Sequence, residues 1–167
     1  DLTNPANAFT KDNLDLTPSV LGNPTHTASE IIDYIRGADV FDENGNSDTA
    51  ENRNVITGDV QHSEPLVVDY ADSLRVVYYG ANDGMLHAVK DSTLSPPSRD
   101  DGKEMWAFIP PDQLHRLKDM VEGESHSYYV DSSPKIYIKD VNGNGIIEVD
   151  VDSDDDGDID DDDKDKV

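Results

Sequence analysis

The sequence predicts an all-β fold with short helices, of the sandwich, barrel or propeller kind. Three observations carry this. About six short runs rich in β-branched and aromatic residues lie between Pro65 and Val149. Turn residues interrupt them at intervals of roughly 8–12 positions. Helical periodicity is confined to two short stretches.

Residues 1–26 are rich in Asn, Pro, Thr and Asp and read as an extended lead-in. Thr27-Ala28-Ser29-Glu30 fits a capping box, in which hydroxyl and carboxylate satisfy each other's unpaired backbone N–H groups. Ile31, Ile32, Tyr34 and Ile35 follow, so a helix is expected over 28–36, stopped by Gly37. Residues 38–57 are polar and predict a long loop. Leu66-Val67-Val68 opens the strand region, and Leu74 to Tyr79 continues it. Asn82-Asp83-Gly84 favours positive φ and predicts a hairpin turn into Met85–Val89. A loop at 91–102 leads to Lys103–Ile109, a further strand that Pro110-Pro111 ends. Residues 112–120 read as a short amphipathic helix with Leu114 and Leu117 on one face. Ser127–Val130 and Pro134–Ile138 read as two more strands, and Ile146–Val149 as a last short one. As a propeller this is about two blades of roughly four strands, too few for a ring of at least four blades. Either the fold is smaller, or it is completed by another chain or a missing segment.

The chain has 167 residues, enough for one ordinary domain. Its 37 acids against 13 Lys and Arg give a net charge of −24, which excludes electrostatic nucleic-acid binding. With no cysteine, disulfide scaffolds, thiolate metal sites and cysteine nucleophiles are excluded. No stretch approaches the roughly 18 apolar residues of a membrane span. The chain opens at Asp1 with neither an initiator Met nor a signal segment, and is read as a processed or excised piece.

The charge is concentrated. Between Asp140 and Asp165 stand 13 of the 37 acids, leaving residues 1–139 with 24 acids and 11 bases. Such a run reads either as a solvating acidic tail or as cation ligands, and the spacing favours the second. Calcium takes 6–8 oxygens, which a short loop supplies when ligands alternate. From Asp140, oxygen-bearing side chains stand at alternate positions, Asp140, Asn142 and Asn144, and again at Glu148. Gly145 permits the sharp turn and Ile146 offers its carbonyl. An Asn-Gly turn between strands is the competing reading. A second loop places Asp152, Asp154, Asp156, Asp158, Asp160 and Asp163 in the register of an EF-hand loop, with Gly157 and Ile159 at its glycine and apolar positions. Asp at the final position shortens the bidentate arm, and no flanking helices are evident. Neighbouring acids repel by about 1 kcal/mol per pair even in water, so divalent cations are the expected counter-charge. A third patch, Asp39 to Asp48, has its Gly45 out of register and reads as a solvated turn rather than a calcium loop.

Nothing argues for an enzyme. The histidines at 26, 62, 87, 115 and 126 form no metalloprotease-type pair, and His62 and His87, at strand edges, suit structural hydrogen bonds. Ser63 lies in no nucleophile elbow, and Gly80–Gly84 is a turn rather than a phosphate loop. Trp106 with Phe108 suits a core better than a sugar platform.

Five phrases occurring in order resemble one family. They are Tyr34–Gly37, Gly58–Pro65, Tyr79–Ala88 (YGANDGMLHA), Gly102–Pro111 (GKEMWAFIPP) and His126–Pro134 (HSYYVDSSP). Together they resemble a quinoprotein-like β-propeller repeat, and more specifically the PilY family of type IV pilus biogenesis and tip-associated proteins. The resemblance implies the opening, partial part of a β-propeller in a much larger secreted, pilus-associated protein. It implies a calcium loop mapped on Asp140, Asn142, Asn144, the Ile146 carbonyl and Glu148. Asn144 and Glu148 each stand where the family has Asp. It also implies that calcium occupancy governs pilus extension against retraction. The expected partners are a second polypeptide carrying the rest of the propeller, minor pilins at the pilus tip, and a host or surface adhesion target. The expected roles are pilus biogenesis, adhesion and twitching motility. An Arg-Gly-Asp motif is absent, since Ala38 interrupts Arg36-Gly37-Ala38-Asp39. Two rival readings are a fragment of a quinoprotein dehydrogenase and a calcium-rigidified structural module of an extracellular fibre or surface layer.

Overall fold

The computed structural model describes residues 5–70, 73–123, 126–137 and 147. They fall into two compact units. The first takes in residues up to 61 together with 81–85 and 109–131; the second takes in 62–80, 86–108 and residues from 132 onward.

In the first unit the capping box forms as the sequence predicts. Thr27 Oγ1 accepts the Glu30 N–H, and Glu30 Oε2 accepts the Thr27 N–H at 2.8 Å. Helix α1 runs Ala28–Ile35, and Gly37 follows it at φ +99°. The i, i+1, i+4 spacing of Ile31, Ile32 and Ile35 places all three on one buried face. The second helical stretch begins later than the sequence pattern suggests. Pro110 and Pro111 lend their carbonyls to the N–H groups of Gln113 and Leu114. A 3-10 turn at Leu114–Arg116 then leads into α2, Leu117–Val121. Leu117 is fully buried with Leu21, Ile31, Ile32 and Ile35, and Phe9, Leu16 and Met85 pack against this group. Residues 5–26 therefore differ from an extended lead-in. They form a 3-10 turn at Pro5–Asn7 and further turns that carry Leu21 into the core. The apolar residues there are too sparse for any period, and tertiary burial alone reveals their role.

The second unit is a four-stranded antiparallel sheet in the order β1-β2-β3-β4. The strands are β1 (Leu66–Asp69), β2 (Leu74–Gly80), β3 (Leu86–Ser92) and β4 (Glu104–Phe108). β1, β2 and β4 match the expected runs, while β3 continues past the expected Met85–Val89 through Lys90 and Asp91 to Ser92, into the expected loop, because its pairing with β2 extends to Leu74. The register sets Leu66, Tyr78, Ala88 and Trp106 in one row across the sheet. Period-2 alternation puts Val68 and Val76 on the same side as this row, and both are buried. Tyr78 and Trp106 meet at 5.8 Å between ring centroids, and the Tyr70 and Tyr78 hydroxyls lie 2.7 Å apart. Trp106 is partly buried in this packing, whereas Phe108, expected in the core beside it, is exposed.

The structure corrects two expected strands. Residues 127–130 pair with no strand, because their N–H groups go to a turn: Tyr129 N donates to Asn82 Oδ1 and Val130 N to the Ala81 carbonyl. Residues 134–137 are likewise not in a strand. The run at 146–149 lies outside the described residues apart from Ile147, which is in no strand. The chain is thus mainly β, with one four-stranded sheet and two short helices among the described residues.

Candidate functional site

The predicted calcium ligands Asp140, Asn142, Asn144, Ile146, Glu148, Asp152, Asp154, Asp156, Asp158, Asp160 and Asp163 all lie outside the described residues. Among the described residues no group of three or more His, Asp or Glu is gathered as a metal site.

The patch at 39–48 shows how its oxygens are used instead. Asp39, only 1% exposed, accepts the Glu43 N–H at 2.8 Å. Both Asp42 oxygens accept Ser47 N, Asn44 Oδ1 accepts Asn46 N, and Asn46 Oδ1 accepts Asp48 N. These are side chains capping nearby backbone, the habit of Asn and Asp in turns. The patch is a turn, with Asp39 buried rather than solvated.

The residues that the fold does gather in the first unit come from three of the five phrases. Gly58 N donates to Asp83 Oδ2 at 2.8 Å, and Asp83 Oδ1 accepts Met85 N at 3.1 Å. Asn82 N donates to the Asp59 carbonyl, and Asn82 Nδ2 to Asp59 Oδ2 at 3.2 Å. Asn82 Oδ1 takes the Tyr129 N–H at 3.1 Å. His126 Nε2 meets Asp59 Oδ1 at 3.0 Å. The Asn82-Asp83-Gly84 turn is thereby clasped between residues 58–59 and 126–130. Asn82 and Asp83 are buried, and burial is tolerable because their polar atoms are bonded. The His126 hydrogen bond, then those of Asn82 and Gln61, hold the Asp59 carboxyl below the usual carboxylate range. Arg116 completes the clasp: Nη2 donates to the Tyr128 carbonyl at 2.9 Å, and its guanidinium lies 4.5 Å over the Tyr129 ring.

A cleft of about 260 Å³ adjoins this junction in the same unit, lined in part by Tyr34, Glu43, Arg53, Ile56, Asn82 and Met120. Its polar wall is internally bonded. Tyr34 donates to Glu43 at 2.6 Å, and the Arg53 guanidinium stands 3.8 Å over the Tyr34 ring while bonding Glu43. Burial first, and then the bond to Glu43, push the Tyr34 hydroxyl up to about 12.

In the second unit the phrases meet again. Buried Ser63 accepts the Gly80 N–H at 2.8 Å, and Ser133 Oγ accepts Glu64 N at 3.0 Å. His87 is 3% exposed, with Nδ1 2.7 Å from Glu104 Oε2 and its ring stacked on Tyr79 at 4.9 Å. This is the structural hydrogen bond expected of it. Sequence reasoning singled out none of Asp59, Asn82, Asp83 or Tyr129 as a group. Asn82 and Asp83 carry a turn signal in the sequence, and nothing in its spacing ties that turn to Asp59 or Tyr129.

The comparisons with known proteins agree with the sequence phrases. The chain is similar to the type IV pilus biogenesis factor PilY1 homolog of Xylella fastidiosa, 31% identical over 148 residues, covering 74% of this chain and 11% of that protein. It is similar to the type IV pilus biogenesis factor PilY1 of Pseudomonas aeruginosa PAO1, 34% identical over 119 residues, covering 54% of this chain and 10% of the relative. PilY1 of P. aeruginosa UCBPP-PA14 is 29% identical over 133 residues, covering 63% of this chain. The chain spans about a tenth of the length of these relatives. No family model matches the chain. No solved structure matches it either.

Proposed function

From the premise that this chain belongs to the PilY family, we propose that it is a calcium-binding segment of a type IV pilus biogenesis factor. The observation that carries the pilus reading is the similarity to PilY1 proteins along most of the chain. The calcium reading rests on ligand spacing at Asp140, Asn142, Asn144, Ile146 and Glu148 and at Asp152 to Asp163. In this reading the segment works at the cell surface, with pilus components as partners, in pilus assembly, adhesion and twitching, and performs no enzymatic step.

The sheet is read as one propeller blade, since a four-stranded antiparallel meander is the blade unit. Exposed Val67, on the face opposite the Leu66–Trp106 row, supports a further blade against that face. That blade is supplied by a second polypeptide or by a further segment of a longer chain. The test is to replace Asp140, Asn142, Asn144 and Glu148 by Ala in the whole protein and count surface pili. The reading expects fewer pili at an unchanged protein level; unchanged piliation and twitching overturn it.

A further inference from the structure

Closure of the 39–51 loop in the first unit centres on Glu51. Its Oε1 accepts Asn44 Nδ2 at 2.5 Å and Asn46 Nδ2 at 2.7 Å, and its carbonyl accepts the Asp39 N–H at 2.9 Å. Asn44 is followed by Gly45, at φ +72° with open space where a side chain would stand. Asn44, Gly45 and Asn46 are all exposed. A following glycine puts the least bulk between a backbone nitrogen and the preceding side-chain carbonyl, and asparagine is among the thermolabile residues. The Asn44 side chain already folds back over its own backbone, with Oδ1 accepting the Asn46 N–H at 3.0 Å.

We infer that Asn44 is a self-modification site, converted to Asp or isoaspartate, and that Glu51 restrains the conversion. The Gly45 nitrogen attacks Asn44 Cγ, forming an N–C bond. The Cγ–Nδ2 bond breaks, and ammonia departs with the proton that Gly45 loses. Water then opens the five-membered imide at either carbonyl. No oxidant or reductant is involved.

In the closed loop both reacting groups are held. The Gly45 N–H donates to the Asp42 carbonyl at 3.1 Å, and the departing amide is anchored on Glu51. The negative charge of Glu51 also opposes the oxyanion that attack would create. Once formed, a carboxylate at position 44 faces Glu51 where a donor stood. Like charges at that separation repel, so the change loosens the loop in one direction.

Trypsin cleavage after Arg36 and Arg53 isolates residues 37–53. Conversion at Asn44 is read by fragmentation mass spectrometry and by isoaspartyl methylation, at mildly alkaline pH and below the melting midpoint of each variant. The native chain is expected to convert about tenfold more slowly than the same chain in urea. Glu51→Ala, still folded by circular dichroism, is expected to convert about threefold or more faster than the native chain. Glu43→Gln, which loosens Tyr34 and Arg53 but keeps Glu51, is expected to match the native rate. Equal rates in the native and urea-unfolded chain, no conversion of Asn44 in urea, or an unchanged rate in folded Glu51→Ala would overturn the inference.

Discussion

Ser63 Oγ is the acceptor that satisfies the buried Gly80 N–H at the end of β2. Ser63→Ala leaves that donor unpaired, and an unsatisfied buried group costs about 1–3 kcal/mol. Thermal unfolding is expected to show a lowered midpoint, with Ser63→Thr retaining most of the stability. Asp59 makes a different prediction. Its carboxyl is lowered chiefly by the His126 hydrogen bond. A carboxyl lowered in the folded state adds stability above its unfolded value, near pH 4, and loses it as pH falls through the lowered folded value. Glu122 behaves alike, lowered first by its bond from the Thr25 N–H. Acid unfolding of Asp59→Asn is therefore expected to depend less steeply on pH below about 4 than that of the native chain; identical profiles would remove Asp59 from the account.

At the scale of elements, α1 is the clearest case of local chemistry writing structure. Thr27 and Glu30 exchange hydrogen bonds while three isoleucines share one face. Thr27→Ala should cost about 1 kcal/mol and shorten the helix at its start, measurable by circular dichroism and thermal melting. The strands of the sheet were also legible in their apolar and aromatic runs, except that the end of β3, Lys90-Asp91-Ser92, is polar and is held in the sheet by pairing with β2. Residues 127–130 were not. Ser-Tyr-Tyr-Val has strand propensity, yet its N–H groups are taken by Asn82 and Ala81, a choice made by residues some 47 positions away. Leu21 was hidden for a related reason, since Leu14, Leu16, Val20 and Leu21 stand among turn residues at spacings that fit no period. The clasp of Asp59, Asn82, Asp83 and His126 was visible only as phrases, because hydrogen-bond partners far apart in sequence leave no spacing to read.

For the whole molecule, the net charge of −24 divides into a β-rich body and an acidic stretch from Asp140 onward. Within the body, the Asp39, Asp42 and Asp48 carboxylates accept backbone N–H groups, and Glu43 bonds the Tyr34 hydroxyl and Arg53. The two later loops differ from the 39–48 patch in sequence, with the alternating oxygens and the glycine register of calcium ligation. The match to the relatives covers about a tenth of their length. Calcium binding belongs to the acidic stretch itself in the proposed reading. Calorimetric titration of the chain with calcium, repeated on Asp140→Ala and Asp152→Ala, tests it most directly. The account predicts saturable binding that each substitution weakens, with magnesium a poor competitor because it demands a tighter octahedral shell. Absence of saturable calcium binding, or binding that neither substitution alters, would contradict it.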